Sequence, residues 1–222
     1  MDESQVLLAN RGVVNRSSLW AFSSPLHTKN TPKTMKKLVL IIVGTLLFSV
    51  PVRGQTSVVA GGEMLAPTSE SPAKLVNLYP THQFTDSWGM WLFAGVTPQW
   101  AEMLAGPLYS QSFAEGDGFA QFGIGAGFEQ PAFTPRVAGS VFLKYQKLTF
   151  FGFLEYSEPT GRWHQAILLY RFKSWKAGLM SQGLRGAGPR IEFDVPKTPI
   201  TAWGAYVKGG SWQPLVGIQL KL

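Results

Sequence analysis

The sequence predicts an all-β protein: an antiparallel, up-and-down transmembrane β-barrel of eight to ten strands, preceded by a cleaved signal peptide. Two observations support this prediction. About ten runs, most with alternating apolar and polar residues, follow one another through residues 87–222, and a basic and then apolar segment lies upstream of them. Successive side chains of a strand point to opposite faces, so alternation gives a strand one apolar and one polar face. A closed barrel can place that apolar face against lipid without leaving an unpaired strand edge.

The last twelve residues, 211–222, alternate over most of their length. Gln, Gly and Lys occupy most of the positions between the apolar ones, and Leu215 is the exception. A strand that ends on a fully apolar face would be an aggregation hazard at the edge of a soluble sheet. We therefore expect this strand to close a barrel. The apolar face comprises Trp212, Pro214, Val216, Ile218, Leu220 and Leu222.

Breakers rich in Gly, Pro and charged residues separate the runs, for example 115–118, 158–161 and 208–210. The runs start every ~12–14 residues, which suits membrane strands of ~9–11 residues joined by short turns. Eight strands is the alternative to ten, since two runs could merge or lie outside the barrel.

One run carries alternate glycines, Gly123, Gly125 and Gly127. The spacing departs from the GxGxxG pattern of dinucleotide-binding loops, and no helical pattern follows it. Alternate glycines on one strand face instead give a narrow lumen room to close, or let side chains of other strands cross it.

The rest of the chain divides into three segments. Residues 35–54 contain a short basic stretch and an apolar core of about 13 residues, too short to span a bilayer as a helix, and predict a signal peptide cleaved before Gln55. Residues 1–34 lack apolar periodicity and are interpreted as a non-native or extended N-terminus. Residues 55–86 contain several Pro and Gly residues and are predicted to be a periplasmic leader or loop, which leaves 87–222 for the barrel.

Composition argues against several functions. Most of the formal charge of +7 belongs to residues 1–54, which hold seven basic and two acidic residues, so we predict no nucleic-acid partner. The chain has no Cys, and His164 is the only His within the strand runs. We therefore predict no metal site and no cofactor.

The alternation assigns two further sets of residues. Polar residues opposite the apolar faces are predicted to line the lumen, and Trp and Tyr residues near the ends of the runs are predicted to lie at the membrane interfaces, where such rings prefer the headgroup zone. The lumen set is Lys144, Glu155, Lys176, Arg190, Glu192, Asp194 and Lys208. The interface set is Trp88, Trp100, Tyr145, Tyr156, Trp163, Trp175, Trp203 and Trp212.

In architecture, residues 87–222 resemble a small Gram-negative outer-membrane β-barrel. Barrels of that class usually end in an aromatic residue, often Phe, whereas this chain ends in Leu222. The resemblance implies an outer-membrane location, contact with membrane lipid, and recognition of the C-terminal strand by the barrel-assembly machinery. The expected assembly signal comprises Val216, Ile218, Leu220 and Leu222, of which the first three match the pattern of the class and Leu222 departs from it.

We expect a structural or narrow-channel role without enzymatic activity, because side chains largely fill the interior of a barrel of this size. One alternative is a periplasmic lipocalin-like barrel that binds an apolar ligand inside. Another is a lipid A-modifying membrane enzyme. The lipid A deacylases carry a Ser two positions after the His, but this chain has Ala166 there, so we predict no catalytic residue; Ser157 or Ser174 could still lie near His164.

Overall fold

The computed structural model describes residues 55–65, 74–97, 100–130, 133–158 and 160–221. The predicted signal peptide (35–54), residues 1–34 and Leu222 lie outside the described residues. Each strand pairs antiparallel with the next one in sequence, and the last strand closes against the first, which confirms the predicted up-and-down barrel. The strands are β1 (Gln55–Leu65), β2 (Lys74–Gln83), β3 (Trp88–Val96), β4 (Ala101–Phe113), β5 (Gly118–Gln130), β6 (Thr134–Tyr145), β7 (Leu148–Ser157), β8 (Gly161–Phe172), β9 (Trp175–Gln182), β10 (Gly186–Asp194), β11 (Ile200–Lys208) and β12 (Trp212–Lys221).

The barrel has twelve strands, so the predicted count of eight to ten was wrong. The ten runs found in the sequence correspond to β3 to β12. The two further strands come from residues 55–86, where we predicted a leader or loop. Gly61, Gly62 and Pro80 hide the alternation of β1 and β2, and these strands form because the closed barrel gives each of them a partner on both sides.

Closure is visible in the pairing of β1. Gly61 lies opposite Asn77 of β2 and also opposite Gln219 of β12. Gln55 and Lys221 therefore lie at the same end of the barrel, which we call the terminal rim. The opposite end, which includes the turns 183–185 and 209–211, is the far rim.

The apolar faces of most strands point away from the lumen. Phe122, Ile124, Val216 and Ile218 are 50%, 70%, 45% and 58% exposed, whereas Glu192 is 5% exposed. This orientation is opposite to that of a soluble barrel, which would enclose its apolar residues and expose its charged ones.

Apolar side chains also fill most of the lumen. One cluster, which includes Trp91, Leu104 and Phe153, lies inside β3 to β7. Another, which includes Met180 and Leu215, lies inside β8 to β12. The interior is thus packed by large side chains rather than open to water.

The alternate glycines of β5 make room for this packing. A Cβ atom built on Gly123 would lie 2.6 Å from Nε1 of Trp91, and one on Gly125 would lie 2.6 Å from the same indole ring. Trp91 itself is fully buried. The alternate glycines of β5 therefore leave the space that the Trp91 ring of β3 occupies.

Candidate functional site

Four charged side chains form a buried cluster inside the barrel near the far rim. The guanidinium group of Arg136 lies 3.2 Å from a carboxylate oxygen of Glu102 and 2.6 Å from one of Glu129, and it also pairs with Glu155. The four residues are at most 8% exposed. We call Glu102, Glu129, Arg136 and Glu155 the acidic cluster.

Strand register assembles this cluster. Glu102 of β4 lies directly opposite Glu129 of β5, and Glu155 of β7 lies opposite Ala138, the next inward residue of β6 after Arg136. Three acidic side chains share one guanidinium group, and neither carboxyl oxygen of Glu102 has a hydrogen-bond partner among the described residues.

A second set of charged groups lies closer to the terminal rim, between β8 and β12. Nζ of Lys176 lies 3.0 Å from Glu192 and 2.9 Å from Asp194, and Arg171 and Lys221 also face Asp194, at 3.2 Å and 3.9 Å. Together with Arg190, these basic residues outnumber the two carboxylates.

Arg190 is the most enclosed of these cations and lies midway along the lumen. Its Nε and Nη2 atoms donate hydrogen bonds to Glu192 at 3.0 Å and 2.9 Å, and its Cζ atom lies 3.9 Å from the ring centre of Trp203. Charge pairing and a cation–π contact thus hold the guanidinium group in place beside β10 and β11 inside the barrel.

A small polar cavity of about 40 Å³ adjoins Arg190. Its walls include Asn77, Gln165, Trp203 and Gln219. This volume is enough for a few water molecules. Beyond it, towards the far rim, Glu63 pairs with Arg185 at 2.6 Å and accepts a hydrogen bond from Gln182 at 3.2 Å.

Apart from the acidic cluster, polar groups therefore run along the half of the lumen lined by β8 to β12, β1 and β2, and we call this row the polar seam. It is interrupted by the packed Arg190 and Trp203 side chains. From far rim to terminal rim, it comprises Arg185, Glu63, Gln182, Gln165, Asn77, Arg190, Gln219, Glu192, Lys176 and Asp194.

The structure places most of the predicted lumen residues inside the barrel. Glu155, Lys176, Arg190 and Glu192 are buried and Asp194 is half-buried there. Lys144 shares the inward side of β6 but lies at the mouth of the terminal rim, where it is exposed.

Lys208 does not line the lumen, so that prediction was wrong. Trp203 lies opposite the inward Glu192, so the alternate positions of β11, including Val207, face the lumen and Lys208 faces out. The apolar residues of this strand turn inward because the Trp203 ring covers the buried Arg190. Lys208 ends β11 at the far rim, where a long side chain can reach a polar zone.

Three of the predicted interface aromatics also face the lumen, and their assignment was wrong. Trp203 covers Arg190, as described above. Trp163 packs edge-on against Phe153, with ring centres 6.2 Å apart, and Nε1 of Trp100 donates a hydrogen bond to Glu129 at 2.9 Å. Position near a strand end did not distinguish rings that turn inward from rings that turn outward. The remaining five, Trp88, Tyr145, Tyr156, Trp175 and Trp212, are exposed on the outer surface near the strand ends.

Sequence reasoning missed several charged lumen residues. Glu129 continues the alternation of the glycine stripe, and Arg136 continues that of Ser140 and Lys144, so alternation alone could have placed both inside. Glu63 lay in the segment assigned to a leader, and Arg185 lies in a turn.

His164 lies on the outer surface, and its Nε2 atom is 3.0 Å from Oγ of Ser181. This partner comes from β9, and neither Ser157 nor Ser174 is bonded to the ring. No carboxylate of the described residues hydrogen-bonds to His164, so the pair lacks the third group that orients the base in serine hydrolases. The described residues also contain no cluster of His, Asp or Glu side chains suited to a metal ion, and none of their helices is long and apolar enough to span a membrane.

Comparison with known proteins finds similar folds only. No protein-family model matches the sequence, and no curated protein matches it. The solved structure of KdgM porin matches with a TM-score of 0.50 and 12% identity, covering 74% of this chain and 98% of that one. The outer membrane protein opdK from Pseudomonas aeruginosa matches with a TM-score of 0.36 and 13% identity, covering 77% of this chain and 70% of that one.

The fold therefore belongs to the class of closed, antiparallel, porin-like β-barrels. Within that class, this chain forms a twelve-stranded barrel similar in fold to KdgM porin.

Proposed function

We propose that this protein is an outer-membrane β-barrel with a structural or narrow-channel role and no enzymatic activity. The observation that carries the proposal is the combination of an apolar outer surface with a lumen that is closed by packed side chains. A barrel that leaves no strand edge unpaired satisfies its backbone hydrogen bonds in hydrocarbon.

The outer surface has the distribution of residues that a bilayer favours. Aliphatic residues such as Ile124 and Ile218 are exposed in the middle of their strands, while Trp and Tyr residues are exposed near both rims. Trp88 contacts Tyr109 near the terminal rim, and Trp212 stacks on Tyr206 near the far rim, with ring centres 5.1 Å and 4.9 Å apart. A periplasmic barrel with an apolar ligand inside would require the opposite arrangement.

Delivery to this membrane would use the two ends of the chain. The proposed signal peptide is 35–54, and the proposed assembly signal is the outward side of β12 with Val216, Ile218 and Leu220, followed by Leu222. Exposure of Val216 and Ile218 on the outer surface is consistent with recognition of this strand by the barrel-assembly machinery.

The polar seam is the proposed path of any solute, and its cavity of about 40 Å³ has room only for water or a small ion. Arg190 closes it, because its guanidinium group is held between Glu192 and the Trp203 ring.

Single-channel recording in planar lipid bilayers tests this role. We expect the wild-type protein to show conductance far below that of an open porin, and Arg190→Ala to raise it, because truncation removes the side chain that interrupts the seam. In Arg190→Ala the Trp203 ring can settle into the vacated space and limit the rise in conductance. The double variant Arg190→Ala with Trp203→Ala should then conduct more than Arg190→Ala alone. Lys144→Ala, which also removes an inward-facing cation but at the open mouth, is the matched control and should behave as wild type.

A wild-type conductance as large as that of an open porin would contradict the filled lumen. Equal conductance for wild type and both Arg190 variants would rule out the seam as a solute path and leave the structural role. Cell fractionation tests the location separately: we expect the protein in the outer-membrane fraction, with heat-modifiable migration on gels. Recovery in the soluble periplasm would refute the membrane assignment.

A further inference from the structure

The hydrogen bonds of the acidic cluster are divided unequally among its carboxyl groups. Nε of Arg136 carries a single hydrogen and donates it to Glu129 at 3.0 Å. Nη2 donates to Glu129 at 2.6 Å and to Oγ1 of Thr160 at 3.0 Å, and Nη1 donates to Glu155. Nε1 of Trp100 also donates to Glu129. The hydrogen bonds of the guanidinium group are therefore made with Glu129, Glu155 and Thr160.

Glu102 receives none of these hydrogen bonds. Its Oε2 atom lies 3.2 Å from Nε of Arg136, but the one hydrogen of that nitrogen is directed to Glu129. Neither oxygen of Glu102 has a hydrogen-bond partner among the described residues, and the residue is only 3% exposed, so bulk water does not replace the missing donors. A buried carboxylate without donors is costly, whereas a protonated carboxyl group carries a donor of its own.

Glu155 is the acceptor that such a donor can reach. The side chains of Glu102 and Glu155 lie within hydrogen-bonding reach of each other. Two carboxyl groups can form a hydrogen bond only if one of them is protonated, because a carboxylate is an acceptor alone. Among the described residues, the charged side chains that face Glu102 are Glu129 of β5, Arg136 of β6 and Glu155 of β7. From β3, the residue opposite Glu102 is the uncharged Gly95.

We propose that the acidic cluster binds one proton at neutral pH, held on Glu102 and shared with Glu155 through a carboxyl–carboxylate hydrogen bond. The proton supplies the donor that Arg136 does not, and it reduces the negative charge buried between β4 and β7. Release of the proton leaves two adjacent buried carboxylates, which repel each other. The cluster is thus a proton-dependent latch between β4 and β7. The proton site lies inside the barrel and does not depend on where the barrel is located.

Infrared spectroscopy of the purified protein, in a detergent without carbonyl groups, detects this proton, because a carboxylic acid and a carboxylate absorb at different frequencies. At about pH 7, where an exposed Glu is ionised, we expect the wild type to show the C=O stretch of a carboxylic acid. Glu102→Gln keeps the shape of the side chain but does not titrate, and it should lose this band. Glu63→Gln is the matched control, because Glu63 is also buried in the lumen but pairs with Arg185 and Gln182, and it should keep the band.

Urea unfolding measures how the proton is coupled to folding. Glu102 is ionised in the unfolded chain at neutral pH, so folding takes up a proton, and the stability that the proton gives is present at low pH and lost as pH rises. Between about pH 6 and about pH 9, each pH unit should raise the unfolding equilibrium constant of the wild type by up to about tenfold relative to that of Glu102→Gln. Glu63→Gln should follow the pH slope of the wild type.

Absence of the acid band from the wild type, or its persistence in Glu102→Gln, would overturn the proposal. Equal pH slopes for the wild type and Glu102→Gln would overturn it as well. The wild-type spectrum keeps the proposal falsifiable even if Glu102→Gln does not fold. Neither measurement depends on conductance or cell fractionation, so this proposal and the proposed function can fail separately.

Discussion

At the scale of single residues, charged side chains in the lumen combine packing with charge pairing. Arg136 contacts three carboxylates, and Arg190 contacts one carboxylate and one indole ring. Burying an ion costs free energy unless the ion is paired, so each arginine offsets the cost of burying its carboxylate partners rather than adding much stability by itself. Removing an arginine alone should therefore destabilise the barrel more than removing it together with one of its partners.

Arg136→Met should strongly destabilise the barrel, because three carboxylates would remain buried without a counter-ion. We expect the free energy of unfolding to fall by about 3–5 kcal/mol. Adding Glu155→Gln to this variant should restore part of the loss, since one fewer negative charge is left unpaired. Urea unfolding in lipid vesicles, followed by Trp fluorescence, measures both effects.

Lys173→Met, in the exposed turn between β8 and β9, is the control for loss of a cation. It should change the free energy of unfolding by less than about 1 kcal/mol. If Arg136→Met unfolded at the same urea concentration as Lys173→Met, the acidic cluster would not depend on its arginine.

At the scale of strands, alternation gives the two faces of each strand but not always their direction. β12 has its large apolar residues outside, whereas β11 has Trp203 and Val207 inside and Lys208 outside. The difference follows from the partner strand, because Arg190 of β10 requires an aromatic neighbour in the lumen. β12 adds a second property, since its outward side is the proposed assembly signal.

Val216→Ser with Ile218→Ser should reduce assembly of the barrel in cells several-fold, because it removes the apolar outward pattern of the last strand. Val137→Ser with Val141→Ser, on the outward side of β6, removes nearly as much apolar side chain, one methylene less, and should have a smaller effect. Heat-modifiable protein in the outer-membrane fraction is the readout. Equal losses in both variants would show a general cost of polarity rather than a terminal signal.

At the scale of the whole molecule, the barrel differs from a soluble protein only on its outer wall, which exposes apolar rather than polar residues. Its interior still contains an apolar core, with Trp91, Leu104 and Leu215 fully buried. The polar seam occupies lumen space that the two apolar clusters leave unfilled. The wall of the barrel is therefore apolar outside and largely apolar inside, although the lumen also contains buried charges.

The membrane assignment predicts that the cost of an outward charge depends on its depth. Ile124→Arg, at the middle of β5, should lower the free energy of unfolding in lipid by about 2–4 kcal/mol, whereas Gln111→Arg, outward near the terminal rim, should cost about 0–1 kcal/mol. Urea unfolding in vesicles compares the two. Costs of the same size at both positions would argue against a bilayer around the barrel.

The sequence by itself determined the closed antiparallel barrel, the ten strands β3 to β12 and the outward direction of most apolar faces, because alternation is a local property of the chain. Tertiary structure decided the first two strands, whose pattern Gly61, Gly62 and Pro80 weaken, and the inward turn of Trp100, Trp163 and Trp203. It also brought Ser181 beside His164 and three glutamates around Arg136. These contacts depend on register between strands, and register is set by closure of the whole barrel rather than by any one strand.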